Sequence, residues 1–239
     1  MKCLAMAFCL LLSAQGLAKE IKVAVGLSLT PYVIKSKGTG IELDIVTKAL
    51  SSQGHTPKFI YVPFDQIAEA VKSGKADAGL TLQEAVGGGL HFSDNYVEYQ
   101  NVAIALKESA TNVSSIPDLS KYTIGSFKNA KLYLGPEFKS AADSAKKYDE
   151  FAMQVKQVRG LFTKDFQVFV GDQNIFKYYR KNAGRSVNSK QAIDVFKVFS
   201  PTPYKIGFKD KGVRDAFNKG LKSLKASGEY RKVVNKYTK

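Results

Sequence analysis

Short apolar runs alternate with amphipathic stretches along the first hundred residues. Ile21 to Val25 alternates apolar and polar positions and contains β-branched side chains, which predicts a strand. Ile45 to Leu50 places its apolar side chains on one face of a helix that ends near Gly54. Ile60 to Val62 then predicts a second strand. This repeated order of strand, loop and helix predicts a three-layer α/β lobe.

The stretch that follows Ile60 to Val62 predicts a complete βαβ unit. Asp65 stands where its carboxylate can cap a helix, and Ala76 to Leu80 forms an apolar run that predicts a buried strand beside the first. Phe64 and Thr81 come directly after the two strands. We therefore expect both residues at the carboxyl edge of the parallel sheet, where open α/β sheets bind ligands.

The N-terminus has the pattern of a secretory signal peptide. A lysine precedes a short apolar run, and small residues lead to a cleavage site before Lys19, so residues 1–18 are expected to be removed. Cys3 and Cys9 both lie in this segment, and the residues before Cys9 do not form a lipid-attachment pattern. We expect an exported, soluble chain without disulfides, which must be stabilised by its core.

The composition is basic, with a formal net charge of +15 and 44% hydrophobic residues. Such an excess can serve nucleic acid or an acidic membrane surface. However, Lys219, Lys222 and Lys225 lie opposite an apolar stripe, as expected for the solvated side of an amphipathic helix. His55 and His91 stand apart, and no metal-ligand spacing occurs, so we expect neither nucleic-acid binding nor a metal or other cofactor.

A series of short motifs resembles the bacterial extracellular solute-binding proteins of family 3, the periplasmic receptors of polar amino-acid ABC importers. The resemblance covers nearly the whole chain after the predicted signal peptide. The matching segments are Ile21–Val25, Pro31–Tyr32, Gly40–Ile45, Pro63–Asp65, Ser73–Ala78, Phe92–Tyr96, Ile124–Gly125, Asp165–Asp172, Tyr204–Phe208 and Asp215–Leu221.

This resemblance implies a two-lobed periplasmic-binding-protein fold of type II, the Venus-flytrap fold, with a central mixed sheet in each three-layer lobe. It implies a first lobe over residues 19–105, a second over 106–200, and a return strand and C-terminal helices over 201–239 that complete the first. Val102 to Leu106 would carry the chain between lobes. A ligand that contacts both lobes would select the closed state. The resemblance also implies a periplasmic monomer whose partner is a membrane ABC permease or receptor.

Three residues match family positions that contact ligand. Tyr32 and Phe64 match the two rings that sandwich the ligand side chain. Asp172 matches the carboxylate that accepts hydrogen bonds from the ligand's α-ammonium group. Asp172 also stands where it can cap the helix that follows, and one carboxylate can serve both purposes.

The sequence departs from the family where the ligand carboxylate is usually bound. Between Ala78 and His91 there is no arginine or lysine, although the family places there an arginine that grips this carboxylate. In the second lobe the usual small-polar pair falls on Asn129 and Ala130. We therefore expect a small amine or modified amino acid, or an aromatic or polar metabolite. An ordinary amino acid requires Thr81, Gln83 or Lys128 to replace the arginine.

Two other functions agree with the same fold. One is a ligand-sensing protein that has no importer and acts on a membrane receptor. The other is a dehydratase-type enzyme, for which Glu84 is the nearby candidate acid, but the missing arginine counts against this alternative. We expect a binding protein and not an enzyme.

Overall fold

The computed structural model describes residues 19–184 and 187–239, so the predicted signal peptide lies outside the described residues. Eleven strands and eight α-helices are found in these residues. The strands are β1 Lys19–Gly26, β2 His55–Val62, β3 Ala78–Leu82, β4 His91–Phe92, β5 Val97–Tyr99, β6 Asn101–Leu106, β7 Thr123–Phe127, β8 Lys147–Phe151, β9 Val168–Asp172, β10 Ile193–Phe196 and β11 Thr202–Phe208. The helices are α1 Ile41–Ser51, α2 Ile67–Lys72, α3 Ala130–Tyr133, α4 Gly135–Asp143, α5 Gln154–Phe162, α6 Gln173–Lys181, α7 Lys211–Ala226 and α8 Glu229–Thr238.

Two mixed sheets divide the chain into two lobes. The first sheet has the order β2-β1-β3-β11-β4, with β5 paired to β11, and the second has the order β10-β6-β9-β7-β8. In the first lobe β1 pairs in parallel with β2 and β3. In the second lobe β7 pairs in parallel with β8 and β9. β11 in the first lobe and β6 in the second run antiparallel to this parallel core. β4 and β10 pair antiparallel with β11 and β6, so they again run in the direction of the core.

Alternating side chains place each sheet between two helical layers. Val23 of β1 packs in one apolar cluster with α1 and α7, while its neighbour Ala24 packs in another with α2. In β9 of the second lobe, Val168 and Phe169 likewise belong to separate clusters on opposite faces. Because successive strand residues point to opposite faces, each sheet is covered on both sides. Both lobes are three-layer structures.

Two details of the βαβ prediction are wrong. The strand after α2 pairs with β1 and not with β2, because β1 is inserted between the two and forms a parallel ladder with each. Asp65 does not cap a helix. It lies inside a 3-10 turn, Phe64–Gln66, which precedes α2, and Gln66 occupies the cap position without a side-chain hydrogen bond.

The chain passes between the sheets through two crossing segments, Gln100 and residues 197–201. This places the first crossing ahead of the predicted 105/106 boundary, because β6 lies between β9 and β10 in the second sheet. The Gln100 side chain donates a hydrogen bond of 2.8 Å to the Phe199 carbonyl and so joins the two segments.

Candidate functional site

The carboxyl edges of the two sheets meet beside the crossing segments. Asp172 ends β9 and pairs with Asn101, the first residue after Gln100. In the first lobe, Leu82 at the end of β3 pairs with Lys205, close to the point where β11 leaves the second crossing segment. Carboxyl ends of parallel strands are the usual ligand-binding edges of α/β sheets. The two lobes therefore present these edges to a common cleft.

Asp172 is held by the backbone at this meeting point. It is the N-cap of α6, and its Oδ1 accepts hydrogen bonds from the N–H groups of Asn174 at 2.8 Å and Ile175 at 3.0 Å. Its Oδ2 accepts from the N–H of Gln100 at 3.0 Å. The helix N-terminus also favours a negative charge. Backbone groups of α6 and of the crossing segment thus fix the carboxylate in place.

Tyr32 joins the first lobe to Asp172. Its hydroxyl lies 2.9 Å from both carboxylate oxygens and donates to them, while the side-chain amide of Asn174 donates to the hydroxyl at 3.1 Å. The ring is fully buried and stacks on Tyr99, with ring centroids 4.0 Å apart and an interplanar angle of 28°. The ligand-sandwich role of Tyr32 stays a prediction, since here its ring packs against protein.

Glu42 is a second buried carboxylate that the sequence analysis did not assign to the site. Its Oε1 accepts a hydrogen bond from the Tyr99 hydroxyl at 2.5 Å, and its Oε2 accepts from Tyr96 at 2.5 Å and from the Thr81 hydroxyl at 2.7 Å. The carboxyl group is fully buried, and in the described part of the chain its partners are these three hydroxyls. Burial raises the pKa of Glu42, and the hydroxyl donors oppose that effect.

The backbone around Gly40 brings Glu42 to this position. Gly40 is the N-cap of α1 and has a φ of 149°, and a Cβ there would lie 2.2 Å from the Tyr32 carbonyl oxygen. The Glu42 N–H donates to that same carbonyl at 3.1 Å. Only glycine allows so close an approach, which ties the start of α1 to the Tyr32 segment. The sequence did contain a signal, because Glu42 falls on the helical face of Ile45 and Ala49 and so points into the core.

Thr81 takes part in the Glu42 cluster and does not face the cleft edge with its hydroxyl. It lies within β3 in the left-handed region, with a φ of 55°, and its N–H donates to the Tyr96 hydroxyl at 3.1 Å. The side chain is 6% exposed. A hydrogen bond to ligand would require Thr81 to leave Glu42, so its role as a replacement for the arginine stays a prediction.

The other four predicted residues lie at the cleft edges. Phe64 follows β2 and is 59% exposed, and Gln83 follows β3 and is also exposed. Lys128 and Asn129 follow β7 in the second lobe, where Asn129 adopts a φ of 64° and donates its N–H to Glu150 at 2.8 Å. All four side chains are exposed, in contrast to Tyr32 and Asp172.

Exposed apolar side chains concentrate at the same edges. In the first lobe Leu27 follows β1, next to Phe64 after β2, and in the second lobe Tyr133 and Met153 come shortly after β7 and β8. Soluble proteins rarely leave large apolar side chains grouped in this way unless they contact a ligand or partner. The cleft edges can therefore contact the apolar part of a small molecule.

Glu84, the acid named for a dehydratase, is not placed as a buried proton donor. Its side chain forms an ion pair with Lys205 and is 64% exposed. A general acid must stand within hydrogen-bond reach of the substrate, whereas the Glu84 carboxylate is paired with Lys205 on the surface. Over residues 19–184 and 187–239 there is no cluster of three potential metal ligands. In the same residues no helix is long and apolar enough to span a bilayer.

Burial raises the pKa of Asp172 from 3.8 to about 6, although its hydrogen-bond donors act in the opposite direction. Between these two values the folded chain binds more protons at this site than the unfolded chain. The contribution of Asp172 to stability should therefore fall by about 3 kcal/mol as the pH rises from about 4 to about 6, and stay constant above that. The measurement is urea unfolding of the parent and of Asp172→Asn across this range. The parent-minus-variant free energy should decline, and a difference that is flat or rises with pH would refute the expectation.

Tyr99→Phe should destabilise the fold by about 1–3 kcal/mol, because it removes one of three donors from a buried carboxylate. The matched control is Tyr122→Phe, which removes a hydroxyl bonded to the backbone of Asn112 in an exposed loop. Its cost should be smaller, about 0.5–1.5 kcal/mol. Equal losses of unfolding free energy in the two variants would contradict the expectation that the bond to the buried Glu42 contributes more than the bond in the exposed loop.

Comparison with known proteins agrees with this architecture. A family model described as bacterial extracellular solute-binding proteins, family 3, matches residues 21–239. The chain is 25% identical over 237 residues to a protein of Neisseria gonorrhoeae named "Probable histidine-binding protein", and the alignment covers 92% of this chain and 83% of that protein.

Two solved structures share the fold. An ancestral cationic amino acid solute binding protein has a TM-score of 0.73 and 21% identity, over 92% of this chain and 96% of that one. The substrate binding protein of a polar amino acid ABC uptake transporter from Streptococcus thermophilus also has a TM-score of 0.73, with 17% identity over 92% of this chain and 86% of that one. These likenesses confirm the predicted two-lobed fold of type II periplasmic binding proteins.

Proposed function

The chain belongs to the bacterial extracellular solute-binding proteins of family 3, and from that premise we propose that it captures a small polar or amine-bearing ligand between its lobes. The ligand is an amino acid or a derivative. The lobes close about the crossing segments, and the loaded protein delivers the ligand from the periplasm to an ABC importer. Binding, and not catalysis, is the proposed activity.

One observation carries this proposal. A buried carboxylate, Asp172, lies where the ligand-binding edges of both lobes meet, and it is bonded to the first lobe through Tyr32 and to the crossing segment through Gln100. A ligand that bonds to Asp172 therefore changes a contact between the lobes, and so can change their relative position. A ligand changes a conformational equilibrium only through such differential contacts.

The cleft chemistry favours an ammonium group over a free carboxylate as the main recognition element. Asp172 supplies a negative charge, while the stretch from Ala78 to His91 contains no arginine or lysine. Phe64 provides an apolar surface on the first lobe. On the second lobe Lys128 and Asn129 follow β7, and on the first lobe Gln83 follows β3 as a further exposed polar side chain. Tyr32, and Thr81 if its hydroxyl leaves Glu42, complete the proposed set.

A thermal-shift screen of the protein from Lys19 onward tests this function. The panel contains amino acids, their decarboxylated amines, polyamines and small organic acids. A ligand that binds only the folded state raises the melting temperature with ln(1 + [L]/Kd). We expect amine-bearing compounds to stabilise the protein. Stabilisation by organic acids without an amine, and by nothing else, would contradict the proposed role of Asp172.

Asp172→Asn should weaken binding of the amine hit at least about 100-fold, because it removes the negative charge from a buried site. The amide oxygen can still cap α6, so the fold is retained. Asp118→Asn is the matched control, since Asp118 also accepts backbone hydrogen bonds, from Ser114 and Ser115, but lies in an exposed turn of the second lobe. Isothermal titration measures both, and equal affinities in all three proteins would refute the amine-acceptor role.

Delivery to an importer is tested separately in cells. Deletion of the gene should abolish uptake of the radiolabelled screening hit at low external concentration. Unchanged uptake, together with a lost transcriptional or motility response to the same compound, would favour the sensing alternative.

A further inference from the structure

We propose that the Tyr32 hydroxyl competes for the amine site: it is hydrogen-bonded to Asp172, and an ammonium group must displace it in order to bind. This inference rests on the proposed function of Asp172 as the amine acceptor. It makes Tyr32 a specificity-determining residue of the cleft, in a role distinct from a ring that sandwiches the ligand.

The hydrogen-bonding capacity of Asp172 is already used. An ionised carboxylate offers about four lone-pair positions. Three are taken by the backbone N–H groups of Gln100, Asn174 and Ile175, and the Tyr32 hydroxyl lies 2.9 Å from both oxygens. A ligand ammonium group has no free position to enter. One of the present donors must leave.

Tyr32 is the donor that can leave at the smallest cost. The three N–H groups belong to the start of α6 and to the crossing segment, so losing one would disturb the backbone. The hydroxyl is on a side chain, and after it gives up the bond that it donates to Asp172 its oxygen can still accept from the Asn174 amide at 3.1 Å. The exchange therefore needs no change in the fold of either lobe.

The first lobe holds the competing hydroxyl in position through contacts among its own side chains. The Tyr32 ring stacks on Tyr99, and the Tyr99 hydroxyl is fixed by Glu42 at 2.5 Å. Tyr204 packs edge-on against the Tyr99 ring, with ring centroids 5.0 Å apart. A preorganised donor loses little entropy when it bonds, so it competes more strongly than a mobile side chain would.

This competition favours cations over neutral donors. A neutral ligand hydroxyl or amide offers Asp172 a hydrogen bond of the same kind as the phenol already provides, so the exchange gains almost nothing. An ammonium group adds attraction between full charges in a site with little water, which strengthens its bond relative to the phenol. Charged amines can therefore displace the Tyr32 hydroxyl from Asp172, and uncharged analogues cannot.

The test compares Tyr32→Phe with the parent by isothermal titration, using three imidazole compounds. L-histidine carries both an ammonium and a carboxylate, histamine lacks the carboxylate, and 3-(imidazol-4-yl)propionate lacks the ammonium. Their common ring is chosen because of the relative named "Probable histidine-binding protein". Tyr122→Phe is the matched control, since its hydroxyl is also bonded to protein but lies far from the cleft.

We expect Tyr32→Phe to bind L-histidine and histamine roughly tenfold more tightly than the parent, because no bond to Asp172 has to be broken first. The affinity of 3-(imidazol-4-yl)propionate should not change, and Tyr122→Phe should behave as the parent for all three compounds. If Tyr32→Phe does not fold, Tyr99→Phe loosens the support of the same hydroxyl and should tighten amine binding in the same direction by a smaller factor.

The outcomes separate this inference from the proposed function. If the two amines bind the parent as tightly as Tyr32→Phe, or more tightly, and Asp172→Asn abolishes that binding, the competitor role is refuted while the amine site stands. If none of the three compounds binds the parent or Tyr32→Phe, the amine site itself is refuted for this class of ligand, and the inference fails with it.

Discussion

The hydrogen bonds of Asp172 connect the first lobe, a crossing segment and the start of α6 at one side chain. This carboxylate accepts from the first lobe through Tyr32, from the crossing segment through Gln100, and from its own helix through Asn174 and Ile175. Removing a buried carboxylate from water costs several kcal/mol, which these donors must offset in the absence of a cation. The relative position of the lobes in this structure is therefore linked to the solvation of one side chain.

Glu42 is likewise a carboxylate removed from water, inside the first lobe, and hydrogen bonds from three hydroxyl groups stabilise it. Because Tyr99 bonds to Glu42 and stacks on Tyr32, the two carboxylates are connected through two aromatic rings. Each ring buries apolar area and gives its one polar atom a partner. A polar network of this kind is rigid when it is complete, which explains how a cleft with few charged side chains can still be well ordered.

The sequence predicted the fold better than the site. Strand periodicity located β1 and β2, and the residues that matched family motifs indicated the two lobes. The order of the strands in the sheet could not be predicted from the sequence, because the position of β1 between β2 and β3 depends on tertiary pairing and not on local pattern. The motif match placed Asp172 at the cleft, but no sequence pattern shows that a tyrosine 140 residues away donates to it. Gln100 was missed for a similar reason, since its role comes from the backbone geometry of the crossing.

The second lobe also reaches into the first through α6. Ile175 packs in the apolar cluster of the first lobe, Tyr178 and Tyr179 lie against the same cluster, and Lys181 donates to the carbonyl of Lys239 at the end of the chain. The C-terminal end of α8 thus lies at a contact between the two lobes. A fluorescent label or fusion at Lys239 would report little of a rotation of the second lobe, whereas one at the exposed Lys147, on the outermost strand β8 of the second sheet, would travel with that lobe.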